Sequence, residues 1–126
     1  MADLFHSSKP IYEQIAELIK KQIIRGELHA GDKLPSVREM AIEVNVNPNT
    51  VQRTYRELES MEIVQSKRGQ GTFVTGNTAV LAAIREEMKA EILQNFTRQM
   101  YEMGYSKEEI TRGLANFLDE GSIRDD

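Results

Sequence analysis

Two groups of polar and basic side chains in this sequence of 126 residues have the types and spacing that suit contact with a nucleic acid. The first group is Asn49, Gln52, Arg53, Arg56 and Ser60. Intervals of three and four residues place this group on one face of a helix. The second group is the run Lys67–Gly71. Asn and Gln side chains pair with adenine and Arg pairs with guanine, while Lys and Arg also neutralise phosphates.

Other chemistries find little support in the composition. The chain has no cysteine and only two histidines, His6 and His29, which excludes thiol catalysis, cysteine zinc fingers and a His-rich metal site. The acidic run at Glu86, Glu87 and Glu91 is interpreted as a solvated helix face. A carboxylate-metal hydrolase built on that helix is the enzyme alternative, and it lacks a nucleophile with a paired base. We therefore expect no catalysis, no metal and no cofactor.

The net charge of −4 is unevenly distributed along the chain. Residues 1–76 carry 10 basic and 10 acidic side chains, whereas residues 77–126 carry 6 basic and 10 acidic ones. Contact with a polyanion must therefore come from a local cluster rather than from the overall field. No run of 18 apolar residues and no basic leader segment occur, so we expect a soluble, cytoplasmic protein without a membrane partner.

The polar groups lie among elements that the sequence predicts clearly. Pro10 and an apolar stripe from Ile11 to Ile23 predict a helix over about residues 10–25. A Ser-x-x-Glu capping box at Ser36 starts a second helix of about two turns. Asn47 directly before Pro48 predicts the start of a third helix, ending near Met61. Its apolar face is Val51, Thr54, Tyr55, Leu58 and Met61. Two strand-like runs around 67–71 predict a hairpin over residues 63–75.

A break at Gly76 predicts two domains, residues 1–76 and 77–126. The second begins with a long helix over residues 78–103, and a capping box at Ser106 starts a shorter helix. A segment of this size cannot bury its apolar stripe alone, so the stripe must pack on the first domain, on a second copy of the chain or on both. We expect a homodimer. The expected dimer contacts are Leu81, Ile84, Met88, Ile92, Phe96, Met100, Ile110, Leu114 and Phe117.

The predicted fold class is therefore mainly α with a small β-hairpin wing: a winged helix-turn-helix followed by a two-helix dimerisation segment. The start of the third helix would reach base edges in the major groove. Arg38 near the start of the second helix would contact the backbone or a base. The expected DNA contacts are Arg38, Asn47, Asn49, Thr50, Gln52, Arg53, Arg56, Lys67, Arg68, Gly69, Gln70 and Gly71. Free N–H groups at the start of the third helix would bind a phosphate, and Gly69 and Gly71 would let the main chain approach closely.

Four motifs resemble the GntR family of bacterial transcription regulators. They are Leu34-Pro35-Ser36-Val37-Arg38-Glu39, Val46-Asn47-Pro48-Asn49-Thr50-Val51, Tyr55-Arg56-Glu57-Leu58-Glu59 and Gly69-Gln70-Gly71-Thr72-Phe73-Val74. The short helical tail is similar to that of the YtrA subfamily, whose members bind DNA as dimers. The resemblance implies DNA contacts at Arg38, at Asn47, Asn49, Thr50 and Gln52, and at residues 69–71. The family often has Arg where this chain has Pro48 and Gln52, so operators of other members do not transfer.

The resemblance implies a sequence-specific regulator, a homodimeric repressor that reads a near-palindromic operator in double-stranded DNA. Any small-molecule effector is unidentified and would bind between the subunits. The alternative is a winged-helix protein–protein interaction module without sequence-specific DNA binding. Four of these residues also have a simpler interpretation. Arg53 and Arg56 would form a solvated face with an Arg53–Glu57 ion pair, and Lys67-Arg68 would be a charged turn.

Overall fold

The structure, a computed structural model, describes residues 8–121. It divides into two compact units, of which the first ends at Arg85 and the second begins at Glu86. The break at Gly76 predicts a domain boundary at residues 76/77, whereas the compact units divide within a helix that starts at Thr78. His6, one of the two histidines, lies outside the described residues.

The order of elements confirms the predicted class, mainly helical with one small hairpin. The elements are α1 (Ile11–Ile24), α2 (Val37–Val44), α3 (Pro48–Ser60), β1 (Val64–Lys67), β2 (Gly71–Val74), α4 (Thr78–Glu102) and α5 (Lys107–Asp119). The hairpin β1–β2 is antiparallel, and we call residues 64–74 the wing.

Local side-chain caps fix where three of these helices begin. Ser36 accepts a hydrogen bond from the Glu39 N–H, and the Glu39 carboxylate accepts one from the Ser36 N–H, at 3.1 and 2.9 Å. Ser106 and Glu109 form the same reciprocal pair before α5. Asn47 accepts from the Asn49 N–H at 2.7 Å. Because each cap satisfies donors that a helix start leaves unpaired, the predicted starts are confirmed.

The core of the first unit forms where α1 and α2 pack on α3. Its central side chains are Ile15, Ile19, Met40, Val44, Val51 and Leu58. The predicted apolar face of α3 is buried at Val51, Thr54, Tyr55 and Leu58. The prediction was wrong for Met61, which follows the end of the helix and is 38% exposed.

Two long-range hydrogen bonds from α3 fix the elements around it. The buried Thr54 hydroxyl donates to the Tyr12 carbonyl at 2.9 Å, which holds α1 against α3. The Tyr55 hydroxyl donates to the Pro35 carbonyl at 2.7 Å, immediately before the Ser36 cap of α2. The orientation of α1 and α2 on α3 is therefore set by directional bonds as well as by apolar packing.

The wing has a third short segment along its second strand. Lys33 forms an antiparallel bridge with Phe73. The Leu34 N–H donates to the Thr72 carbonyl and the Val74 N–H donates to the Asp32 carbonyl, both at 2.8 Å. The loop before α2 thus covers the β2 edge that β1 leaves open.

The second unit contains the rest of α4 from Glu86 and all of α5. Ile110 is its one large apolar side chain classed as buried among the residues described there. Large apolar side chains that remain exposed in this unit are Ile92, Leu93, Tyr101, Met103, Tyr105, Leu114, Phe117 and Leu118. Within residues 8–121, no helix is long and apolar enough to cross a membrane.

Candidate nucleic-acid interface

Helix α3 separates a buried apolar face from an exposed polar face. The predicted contact residues Asn49, Gln52, Arg53 and Arg56 are all exposed. Val51 and Leu58, on the opposite face, have no exposed surface. Because the core fixes the rotation of the helix, the polar face stays turned to solvent and presents amide and guanidinium groups to a ligand.

Arg53 does not form the ion pair with Glu57 that the helical spacing suggested. Among the described residues Arg53 has no ion-pair partner, and its guanidinium carbon lies 3.9 Å from the centroid of the Tyr12 ring. Stacking uses the face of the guanidinium and leaves the N–H donors around its edge available. The sequence alone does not predict a role for Tyr12, because its contact with Arg53 depends on how α1 packs on α3.

The beginning of α3 differs from the predicted phosphate site. Pro48 has no N–H, the Asn49 N–H donates to the Asn47 side chain, and the Thr50 N–H donates to the Asn47 carbonyl at 2.9 Å. The prediction that this start offers free N–H groups was therefore wrong for its first three residues. Asn47 is exposed, and its side-chain NH₂ remains available as a donor because the cap uses only its oxygen.

Arg38 is the second residue of α2, and its side chain is exposed. Its helix is held at its start by the hydrogen bond from Tyr55 to Pro35. Burial raises the pKa of the Tyr55 hydroxyl well above its usual range, and the negative charges of Glu43 and Glu39 raise it further. The hydroxyl therefore stays protonated and keeps donating to Pro35, which fixes the position from which Arg38 extends.

The tip of the wing brings the predicted basic run together. Lys67, Arg68, Gly69, Gln70 and Gly71 are all exposed, and the Gln70 N–H donates to the Lys67 carbonyl at 2.8 Å to close the turn. The ammonium of Lys67 lies 4.7 Å from the centroid of the Phe73 ring. Neither Lys67 nor Arg68 has an ion-pair partner among residues 8–121, so both charges are available to an anion.

The expected dimer residues fall into three groups. Ile84 and Ile110 are already buried within the single chain, so neither is exposed to a partner. Leu81, Met88, Phe96 and Met100 are half-buried. Ile92, Leu114 and Phe117 are exposed, at 64%, 39% and 42%, and of the three groups this one has the most surface available to a partner.

Among residues 8–121, no three His, Cys, Asp or Glu side chains come close enough to hold a metal ion together.

A short helix, a tight turn, a helix with an exposed polar face and a hairpin with a cationic tip form a winged helix-turn-helix. The fold and the site thus define a protein of the winged helix-turn-helix class with a surface suited to DNA.

Comparison with known proteins places this domain in a family. The family model of bacterial regulatory proteins, gntR family, matches residues 11–74. The chain is 49% identical over 121 residues to the uncharacterised HTH-type transcriptional regulator YhcF of Bacillus subtilis, covering 96% of this chain and 100% of that protein. It is 42% identical over 93 residues to the HTH-type transcriptional repressor YtrA of the same organism, covering 69% of this chain and 72% of that protein.

Solved structures show the same relationship. A GntR family transcriptional regulator from Listeria monocytogenes superimposes with a TM-score of 0.84 at 39% identity, covering 89% of this chain and 98% of that one. The DNA-binding domain of AraR in complex with an operator superimposes with a TM-score of 0.52 at 28% identity, covering 56% of this chain and 86% of that one. The chain belongs to the GntR family and is similar to its YtrA-type members. It is therefore a DNA-binding transcription regulator, and the interaction-module alternative is not favoured.

Proposed function

We propose that the chain is a homodimeric, sequence-specific repressor of the cytoplasm, with no catalytic activity, that binds a near-palindromic operator. The observation that carries this proposal is the exposed polar face of α3, held outward by a fully buried opposite face. Support also comes from the similar protein YtrA, which is named a repressor, and from the AraR domain, whose structure contains an operator. Repression would follow because the bound dimer covers promoter DNA.

The proposal gives the side chains of α3 different roles. Gln52 and Asn49 present amides that pair with adenine, and Arg53 presents a guanidinium edge that pairs with guanine. Replacing a side chain that bonds a base costs about 1–3 kcal/mol and relaxes specificity at that base pair. Lys67 and Arg68 on the wing bind phosphates, so replacing them weakens binding to every sequence and reduces its salt dependence.

The homodimer rests on the exposed apolar side chains of the second unit. An exposed surface of this kind marks an interaction site in a folded protein. Two copies related by a two-fold axis would place two α3 helices about one DNA turn apart, or a multiple of it. Ile92 is the most exposed of the expected dimer residues, at 64%.

Light scattering coupled to size-exclusion chromatography tests the dimer. We expect a mass of twice 14.4 kDa for the parent protein and a shift toward the monomer for Ile92→Glu. Gln94→Glu is the matched control because Gln94 is exposed on the same helix and the substitution adds the same charge. A monomeric parent protein, or an Ile92→Glu variant as dimeric as Gln94→Glu, would contradict the proposed interface.

Selection of bound duplexes from a random pool tests the reading of DNA. We expect enrichment of two related half-sites in inverted orientation, with centres about 10 base pairs or a multiple apart. Alanine variants at Arg38, Gln52 and Arg53 should each lose discrimination at particular base pairs. A pool that shows no sequence enrichment would overturn sequence-specific binding and favour the interaction module.

A further inference from the structure

Lys33 lies in the loop before α2, yet its backbone is part of the wing. It is bridged to Phe73, with the Leu34–Thr72 and Val74–Asp32 hydrogen bonds on either side. Residues that face each other across antiparallel strands point to the same side of a sheet. Lys33 therefore shares a face with Phe73, and with Lys67, which pairs with Gly71 two residues along β2.

The side chain of Lys33 runs from this position toward the wing tip, across Gly71. A Cβ built on Gly71 would lie 2.8 Å from the Lys33 Cε and 3.6 Å from its Nζ. Gly71 also has φ +122°, a conformation that other residues rarely adopt. Only glycine at this position both takes the backbone conformation and leaves a path for the lysine stem.

The charge at the end of that path is unpaired. Lys33 is exposed, and within residues 8–121 it has no ion-pair partner. Its ammonium reaches the level of the Lys67–Gly71 pair, the last pair before the Arg68–Gln70 turn. Lys33 therefore adds a third cation to Lys67 and Arg68 on the wing, and it comes from outside the hairpin.

We propose that Lys33 is a DNA-backbone contact of the wing, binding a phosphate beside Lys67 and Arg68, and that Gly71 serves to let its side chain reach the tip. This inference rests on the proposed function, since it presupposes that the wing meets DNA. It assigns Gly71 a role other than the close main-chain approach expected from the sequence. A lysine is suited to this task because it meets phosphate as a mobile point charge.

Salt dependence of binding by the full-length protein tests the role of Lys33. Fluorescence anisotropy with a labelled random-sequence duplex would be measured for the parent protein, Lys33→Ala and Lys33→Arg. Loss of one phosphate contact makes the slope of log affinity against log salt less steep by about 0.9. The ratio of the affinity of the parent protein to that of Lys33→Ala should therefore be about 3.5-fold larger at about 50 mM salt than at about 200 mM salt. Lys33→Arg keeps the charge and should retain the slope of the parent protein.

Two further variants separate the outcomes. Lys107→Ala removes the same charge from an exposed position at the start of α5, and it should leave the slope of log affinity against log salt unchanged. Lys67→Ala should lower the slope if the wing binds DNA as proposed. A lower slope for Lys67→Ala with an unchanged slope for Lys33→Ala would overturn the inference alone. A parent protein that binds the duplex without salt dependence, or not at all, would overturn the proposed function and the inference with it.

The path across Gly71 is tested by a double substitution. Gly71→Ala should weaken binding to the duplex more in the parent protein than in the Lys33→Ala background, because the second background has no stem to obstruct. Thermal unfolding of each variant shows whether backbone strain at Gly71 also reduces stability. Equal losses of affinity in both backgrounds would contradict the role assigned to Gly71.

Discussion

The hydrogen bond from Tyr55 to Pro35 offers a quantitative test of how α2 is held on α3. Replacing Tyr55 with Phe keeps the buried ring and removes the hydroxyl that lies 2.7 Å from the Pro35 carbonyl. A net hydrogen bond contributes about 0.5–1.5 kcal/mol, and a carbonyl left without a donor adds to the loss. We therefore expect Tyr55→Phe to lower the free energy of unfolding by about 1–2 kcal/mol near neutral pH.

The same substitution should matter less at high pH. The pKa of Tyr55 is raised in the folded protein, first by burial and then by the charges of Glu43 and Glu39. Below about pH 10 the phenol is protonated in both states, so the stabilisation is fully present. Above that pH the unfolded chain releases the proton and the folded protein retains it, so stability falls as pH rises. At about pH 11 this costs the parent protein about 1.4 kcal/mol, and Tyr55→Phe does not incur the cost.

Urea unfolding followed by circular dichroism measures the lost hydrogen bond at about pH 8 and the added cost of ionisation at about pH 11. The higher pH lies about one unit above the ordinary pKa of tyrosine. The gap between the parent protein and Tyr55→Phe should shrink by about 1.4 kcal/mol at the higher pH. Tyr101→Phe is the control because Tyr101 is 54% exposed, and it should track the parent protein. A gap that stays constant or widens with pH would refute the reasoning.

Three other perturbations have definite expected results. Glu62 has φ +66°, a conformation that is strained for a residue with a Cβ atom. Glu62→Gly should therefore raise the free energy of unfolding by about 1 kcal/mol in urea titrations, and a loss of stability would contradict strain at that position. Ser36→Ala removes the cap of α2 and should cost about 0.5–2 kcal/mol by thermal unfolding, with Ser66→Ala as an exposed control. Arg53→Lys keeps the charge but loses the planar edge, so affinity titrations should show lost base discrimination with an unchanged salt slope; retained discrimination would argue against a base contact.

Much of the fold could be predicted because its signals are local. The capping boxes at Ser36 and Ser106 and the Asn47–Pro48 start satisfy groups within a few residues of themselves. The polar face of α3 was also predictable, since helical period alone separates it from Val51 and Leu58. These features do not depend on which elements meet.

What the sequence did not show depends on long-range packing. The stack of Arg53 on Tyr12 requires α1 to lie against α3, and the position of Lys33 requires its loop to pair with β2. Burial of Ile84 and Ile110 in the folded chain likewise could not be read from their spacing alone. A periodic stripe predicts an apolar face but not which partner covers it.

Guanine methylation interference on a duplex recovered by selection tests most directly whether α3 reads the major groove. Methylation at N7 blocks the acceptor that an arginine edge would use. We predict interference at guanines in both half-sites for the parent protein, and loss of interference at one guanine per half-site for Arg53→Ala. Binding that tolerates N7 methylation throughout the site, with Arg53→Ala indistinguishable from the parent protein, would contradict the account.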